Sequence, residues 1–311
     1  RVAGWLAASL PVLPADGGVA ARQRALAGDV LARLGDPRRH LLEVDAMRFA
    51  HVPAGPFWMG EQNSDDAPLH RNDTLDYDYW IAEEPVSVGQ FAEFVSADAY
   101  SEHDADALRP PANRPVVNVS WHHARAFCAW LNERWLERLP AGWIVALPSE
   151  AEWEKAARGG LEIPRAIRLA TIVQGFAASD APLQDNPLPR RSYPWGDDWQ
   201  AEKANAEMSI GDTSTPGIFT GGQSPYGCED LGGNVWEWTR SLGSNYPYDA
   251  NDRRREDPDA SDRVRRVVRG GSWSSRRDLA RCGFRGWNPP GGRFVDLGFR
   301  VVLRSSPVLP L

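Results

Sequence analysis

Hydrophobic positions in residues 18–34, GVAARQRALAGDVLARL, recur at helical spacing. Val19, Leu26, Val30, Leu31 and Leu34 fall on one stripe, and Gly35-Asp36-Pro37 stops it. One amphipathic helix cannot bury itself, so it either packs on the residues that follow or is the tail of a domain ahead of it. From residue 47 the pattern changes to short alternating runs broken by Gly and Pro. MRFAHVPAGPFWMG reads as a hairpin turned at Pro53-Ala54-Gly55-Pro56, with Phe57 and Met59 on one face. EEPVSVGQFAEFVSA predicts a short strand and then a helix with Phe91, Phe94 and Val95 inward. NVSWHHARAFCAWLNERW predicts a helix capped by Ser120, with Ala126, Phe127, Trp130 and Leu131 on its apolar side.

LPSEAEWEKAARGG carries a capping box, in which Ser149 accepts from the Glu152 amide, Glu152 reaches back to the Ser149 amide, and Gly159 ends the helix. Residues 161–191 are irregular and rich in Pro and small side chains, and they read as an insertion. Beyond them periodicity fades until VRRVVRGGSW and DLGFRVVLR, two short strands. Fourteen tryptophans supply aromatic mass where regular elements are scarce.

The chain has 311 residues and a net charge of −7, so no basic footprint points to nucleic acid. Lys155 and Lys203 are the only lysines, and the many arginines suit structural ion pairs better than catalysis. Cys128, Cys228 and Cys282 are far apart with no CxxC spacing, which argues against a disulfide framework or zinc site and for a reducing, cytoplasmic setting. No apolar run is long enough to span a membrane. None of the six histidines shows HxxxH spacing. His122 and His123 point about 100° apart on a helix, which does not suit a shared ion. No GxSxG elbow supports a Ser-His-Asp site.

Taken in order, VPAGPFWMG, EEPVSVGQF, NVSWHHARAFCAWL, LPSEAEWEKAARGG, YPWGDDW, GGNVWEWT, RGGSW and LGFRVV resemble the formylglycine-generating-enzyme (sulfatase-modifying-factor) superfamily, over about residues 47–303. The resemblance implies an α+β, C-type lectin-like fold with short strands, two or more helices and much irregular structure. It divides the chain into an N-terminal helical linker (1–46) and a lectin-type domain (47–311), with a candidate variable region at 269–302. Oxidases of that superfamily hold Cu(I) with two cysteines after the GGS-aromatic motif. Here Ser274 to Ala280 reads SSRRDLA, so no copper is expected and no catalytic residue is assigned. The family's GNxWEW loop implies a structural calcium, for which Asn234 and Glu237 are the candidates; alternatively they satisfy backbone groups within the loop.

The C-terminal frame, RGGSW, a divergent stretch and then LGFRVV, is similar to the variable proteins of diversity-generating retroelements. In those proteins adenine-directed mutagenesis rewrites a ligand surface held in a fixed frame. Residues 274–296 contain no Lys, Glu, Gln or Met, and Trp287 is their only Trp, as mutated asparagine-type codons around a scaffold Trp would give. The resemblance implies a non-enzymatic ligand-binding protein. The predicted surface is Ser274, Ser275, Asp278, Cys282, Phe284, Gly286, Phe294, Val295 and Asp296, anchored by Arg269, Trp273, Phe299 and Arg300. Phe294 is either an exposed contact or a core aromatic. The expected partner is a protein or other macromolecule, with an effector domain ahead of Arg1 as a further possibility. The alternatives are an oxidoreductase of the same superfamily and a sensor module of a larger effector.

Overall fold

The computed structural model describes residues 3, 4, 7, 20–97, 105–176, 181–249 and 252–305. Four helices stand out: α1 (Ala21–Leu34), α2 (Val88–Ser96), α3 (Trp121–Arg134) and α4 (Glu150–Arg158). The strands are short. They are β1 (Phe49–Val52), β2 (Phe57–Met59), β3 (His70–Asn72), β4 (Tyr79–Ala82), β5 (Trp143–Ala146), β6 (Glu162–Pro164), β7 (Leu169–Ala170), β8 (Leu183–Asp185), β9 (Trp236–Leu242), β10 (Arg266–Arg269), β11 (Arg285–Asn288), β12 (Leu297–Phe299) and β13 (Val302–Ser305).

One antiparallel sheet has the order β5-β13-β4-β1-β7, so the first and the last strand of the domain both pair with β4. Alternation along its strands feeds two cores. Phe49, Trp80, Ala82 and Leu303 face α2 and α3, while Ala50, Val52, Tyr79, Ile81 and Val302 face α4. A second sheet has the order β11-β10-β9-β12, with β12 parallel to β9 and the others antiparallel.

The expected caps form. Ser120 accepts from the His123 amide at 3.2 Å and Ser149 from that of Glu152 at 3.0 Å, while Glu152 accepts from the Ser149 amide at 2.7 Å. Phe91, Phe94, Phe127 and Leu131 are fully buried. Four expectations change. β1 and β2 do not form a hairpin, because β1 is taken by β4 and β7 and β2 pairs with β3. EEPVS forms no strand between β4 and α2; Ser87 makes only an isolated bridge to Pro115. Residues 161–191 are less irregular than their composition suggests, since β7 extends the main sheet and Ile172 and Phe176 enter its core.

The fourth change is α1, which of its described stripe residues buries only Leu31 and packs on the domain with a face that also carries Arg24, Ala25 and Gly28. Leu26, Val30 and Leu34 are 60%, 46% and 53% exposed, whereas Arg24, Ala25, Gly28 and Leu31 are buried; Val19 lies outside the described residues. Small residues win here because they allow close approach. A side chain at Gly28 would meet Thr215 Cγ2 at 2.3 Å, and Ala25 and Leu31 pack with Ile218 and Phe219. Asp29 then pairs with Arg114 at 2.7 Å.

Candidate functional site

The RGGSW frame is held by α4. Three carboxylates on that helix each take an arginine from the second sheet: Glu150 takes Arg285 at 2.7 and 3.0 Å, Glu152 takes Arg240 at 2.5 Å, and Glu154 takes Arg269. All of these side chains are buried or nearly so. Burial alone would raise the Glu152 carboxyl, but Arg240 and Arg304 together with the capping bonds hold it at about 2. Gly270 and Gly271 turn the chain out of β10 with φ of 99° and 68°. A Cβ at Gly270 would meet the Trp153 ring at 3.1 Å, and one at Gly271 the Leu279 carbonyl oxygen at 3.0 Å. The rim from Arg269 to Ser272 is therefore fixed by paired charge and by steric fit.

Arg300 is the second anchor. Its guanidinium meets both carboxylate oxygens of Glu237, at 2.6 and 2.7 Å, and donates to the carbonyls of Ala82, Glu83 and Glu229. Trp153 Nε1 donates to Glu237 as well, at 2.8 Å. Phe299 is fully buried in the core, and Trp273 is half-buried.

This arrangement bears on the calcium expectation. A cation on Glu237 would sit against the Arg300 guanidinium. Asn234 is also committed: its Oδ1 accepts from the Ser214 amide at 2.9 Å and from Asn205 Nδ2 at 3.2 Å, while its Nδ2 donates to Asp230 and to the Ser214 carbonyl. The pair does not fit a divalent cation as arranged. Among the described residues no group of three or more His, Cys, Asp or Glu side chains forms a metal site.

The predicted surface residues divide. Ser274, Phe294 and Val295 are exposed, and Asp278, Phe284, Gly286 and Asp296 are partly so. Two are corrected by burial. Cys282 is fully enclosed within the α4 core, and Ser275 is 7% exposed with its hydroxyl on Ser272, so neither belongs to a contact surface. Cys282 turns inward because Gly283 beside it packs against Gly60 and Glu61, which leaves the thiol on the core side. Burial pushes the Cys282 and Cys228 thiols up to about 12 and raises that of Cys128 as well.

Trp236 joins most of the remainder and was missed from sequence, although GNVWEW contains it. Its amide donates to the Asp296 carbonyl at 2.8 Å, and its ring lies 6.0 Å from that of Phe284 and 3.8 Å from where a Cβ at Gly286 would stand. The Asp296 carboxylate accepts from the Ser272 and Ser274 hydroxyls at 2.8 and 2.9 Å. The same glycine limits substitution, because its Cβ would also press on Val268 Cγ2 at 3.2 Å. Phe294 and Val295 lie further along on a loop tied to α3, where the Asn118 amide donates to the Phe294 carbonyl at 2.9 Å and the Trp121 amide to that of Pro290 at 3.0 Å. Phe294 is 43% exposed, which answers the question of core or surface in favour of surface. Asp278 stands apart, paired with Arg276 at 3.0 Å. The result is a mixed polar and aromatic patch on a rigid sheet, with no thiol at its surface.

Residues 38–305 match the model of the sulfatase-modifying factor enzyme 1-like domain. The chain is 28% identical to serine/threonine-protein kinase pkn1 of Chlamydia pneumoniae, over 80% of this chain and 36% of that protein. It is 33% identical to inactive C-alpha-formylglycine-generating enzyme 2 of Bos taurus, over 62% of this chain and 51% of that protein. The chain thus spans between about a third and a half of the length of these relatives and of their counterparts in Chlamydia trachomatis and Mus musculus. Treponema denticola variable protein 1 shares the fold, with a TM-score of 0.57 and 22% identity over 82% of this chain and 94% of that one. Sequence motifs, shared fold and family model agree, and the chain belongs to the sulfatase-modifying factor (formylglycine-generating) enzyme 1-like domain family, with the C-type lectin-like fold that its motifs imply.

Proposed function

We propose that this domain is a non-enzymatic binding module whose segment between the Arg269–Trp273 rim and Leu297–Arg300 presents a diversified ligand surface for a protein or other macromolecule. One observation carries the reading. Where the family's oxidases need a pair of reactive thiols, this chain has serines and an aromatic patch around Trp236, and its own three thiols are buried. Two anchored ends let the loop between them vary without unfolding the core. The name of the Bos taurus relative, an inactive formylglycine-generating enzyme, and the shared fold of a Treponema variable protein support the same direction. A second reading, a sensor module within a longer protein, draws on the greater length of the kinase relatives.

The test is a display library in which Ser274, Phe284, Phe294, Val295 and Asp296 are randomised. Most members are expected to stay folded, and binders to an arbitrary target such as lysozyme are expected to emerge with their specificity determined by those five positions. General unfolding of the library would overturn the proposal. So would oxidation of a thiol peptide by the Cu(I)-treated wild-type protein.

A further inference from the structure

β11 is an edge strand. Its residues pair with β10 on one side, Arg285 opposite Arg269 and Asn288 opposite Arg266, and among the described residues no strand pairs with the other side. Two open grooves of about 560 and about 460 Å³ run beside it and meet at Asp66, Arg285 and Trp287, which line both. Trp287 is 38% exposed, the one exposed tryptophan among the described residues. Its ring rests near the Arg285 guanidinium, 5.6 Å away, and against Gly243.

The charges in this trough are unequal in kind. Arg281 is committed to Glu61 at 2.9 Å and Arg285 to Glu150 at 2.7 Å. Arg263 and Arg265 are exposed, and among the described residues neither has a carboxylate partner. Two uncommitted guanidiniums therefore face one exposed carboxylate, Asp66, in a chain whose net charge is −7. A local positive field of this kind in an acidic protein selects for an anionic partner.

We propose that the trough crossing β11 docks an extended acidic peptide, at a site separate from the patch around Trp236. The open edge supplies a row of backbone donors and acceptors that another extended segment can satisfy, which favours a peptide. Arg263 and Arg265 take its carboxylates in forked hydrogen bonds, and the Trp287 face takes an adjoining side chain. The inference does not need the diversified-surface reading: Arg285 and Trp287 lie in the same segment, but of the side chains assigned to that surface only Phe284 lines the trough, at one wall.

The probe is a fluorescein-labelled octapeptide, Glu-Glu-Tyr-Glu-Glu-Tyr-Glu-Glu, followed by anisotropy against the same peptide with Lys in place of Glu. The acidic peptide is expected to bind, to weaken as salt is raised, and to lose about tenfold or more in affinity in the R263E/R265E variant and in W287A. Ser274→Glu, on the other surface, is expected to leave that affinity unchanged. Thermal midpoints close to wild type confirm that the variants are folded, as their exposed side chains allow. No binding by the wild-type protein, equal binding of the Lys peptide, or retention of affinity in both trough variants would overturn the proposal. Loss of binding in Ser274→Glu alone, where the added carboxylate would repel a peptide seated there, would move the peptide to the Trp236 patch and overturn it too, with the module reading left standing.

Discussion

Cys282 looked like a surface residue in sequence because it follows the RGGSW frame, yet its thiol lies within a core of α4 and the main sheet. The deciding contacts, Gly283 on the backbone of Gly60 and on Glu61, join residues more than 200 positions apart and leave no local signal. A water-borne disulfide reagent such as DTNB is therefore expected to label none of the three cysteines in the folded protein and all three in denaturant; rapid labelling of one thiol before unfolding would contradict the packing. Residue-scale electrostatics gives a second expectation. Glu229 is pushed up to about 8, by burial first and by Asp230 next. A carboxyl raised in the folded state contributes stability that is fully present below its unfolded value near 4.5 and is lost as pH rises through about 8. Glu229→Gln should then lose less thermal stability than wild type between pH 5 and pH 8, and parallel melting curves across that range would contradict it.

At the scale of elements, what sequence made legible was local. The cap at Ser120 and the capping box at Ser149 form because their donors and acceptors lie three residues apart, and the phenylalanines of α2 face inward at the expected spacing. Elements whose partners lie elsewhere in the chain were misread. β1 and β2 adjoin a turn but join different sheets, and α1 buries Ala25, Gly28 and Leu31 while Leu26, Val30 and Leu34 stay exposed. Only the shape of the docking surface reveals this, since Thr215 fills the space that a larger side chain at Gly28 would need. Gly28→Val should accordingly destabilise the protein by about 2 kcal/mol through overpacking, whereas Val30→Ser should change it by about 0.5 kcal/mol or less. Urea unfolding of the two variants checks the pair, and the reverse ranking would place the apolar stripe against the domain after all.

Across the whole molecule, eight motifs in order were enough for the family, while the surface they hold was only partly readable. The anchors Arg269 and Arg300 were identified from their place in the frame, but their partners, Glu154 and Glu237, come from α4 and β9. Trp236 was hidden inside a motif read for its Asn and Glu, and Arg265 lay within VRRVVRGGSW, read only as a strand. In each case the frame was legible and the partners that give it meaning were not, because sheet order sets them. The central claim is that a rigid frame carries a changeable surface. It is tested most directly by sequencing the gene across many cells of the source strain and comparing residues 269–302 with the rest of the chain. Adenine-templated variation at the codons for Ser274, Phe284, Phe294, Val295 and Asp296, with Arg269–Trp273 and Leu297–Arg300 constant, is the expected result; a segment as invariant as the rest of the chain would contradict the claim.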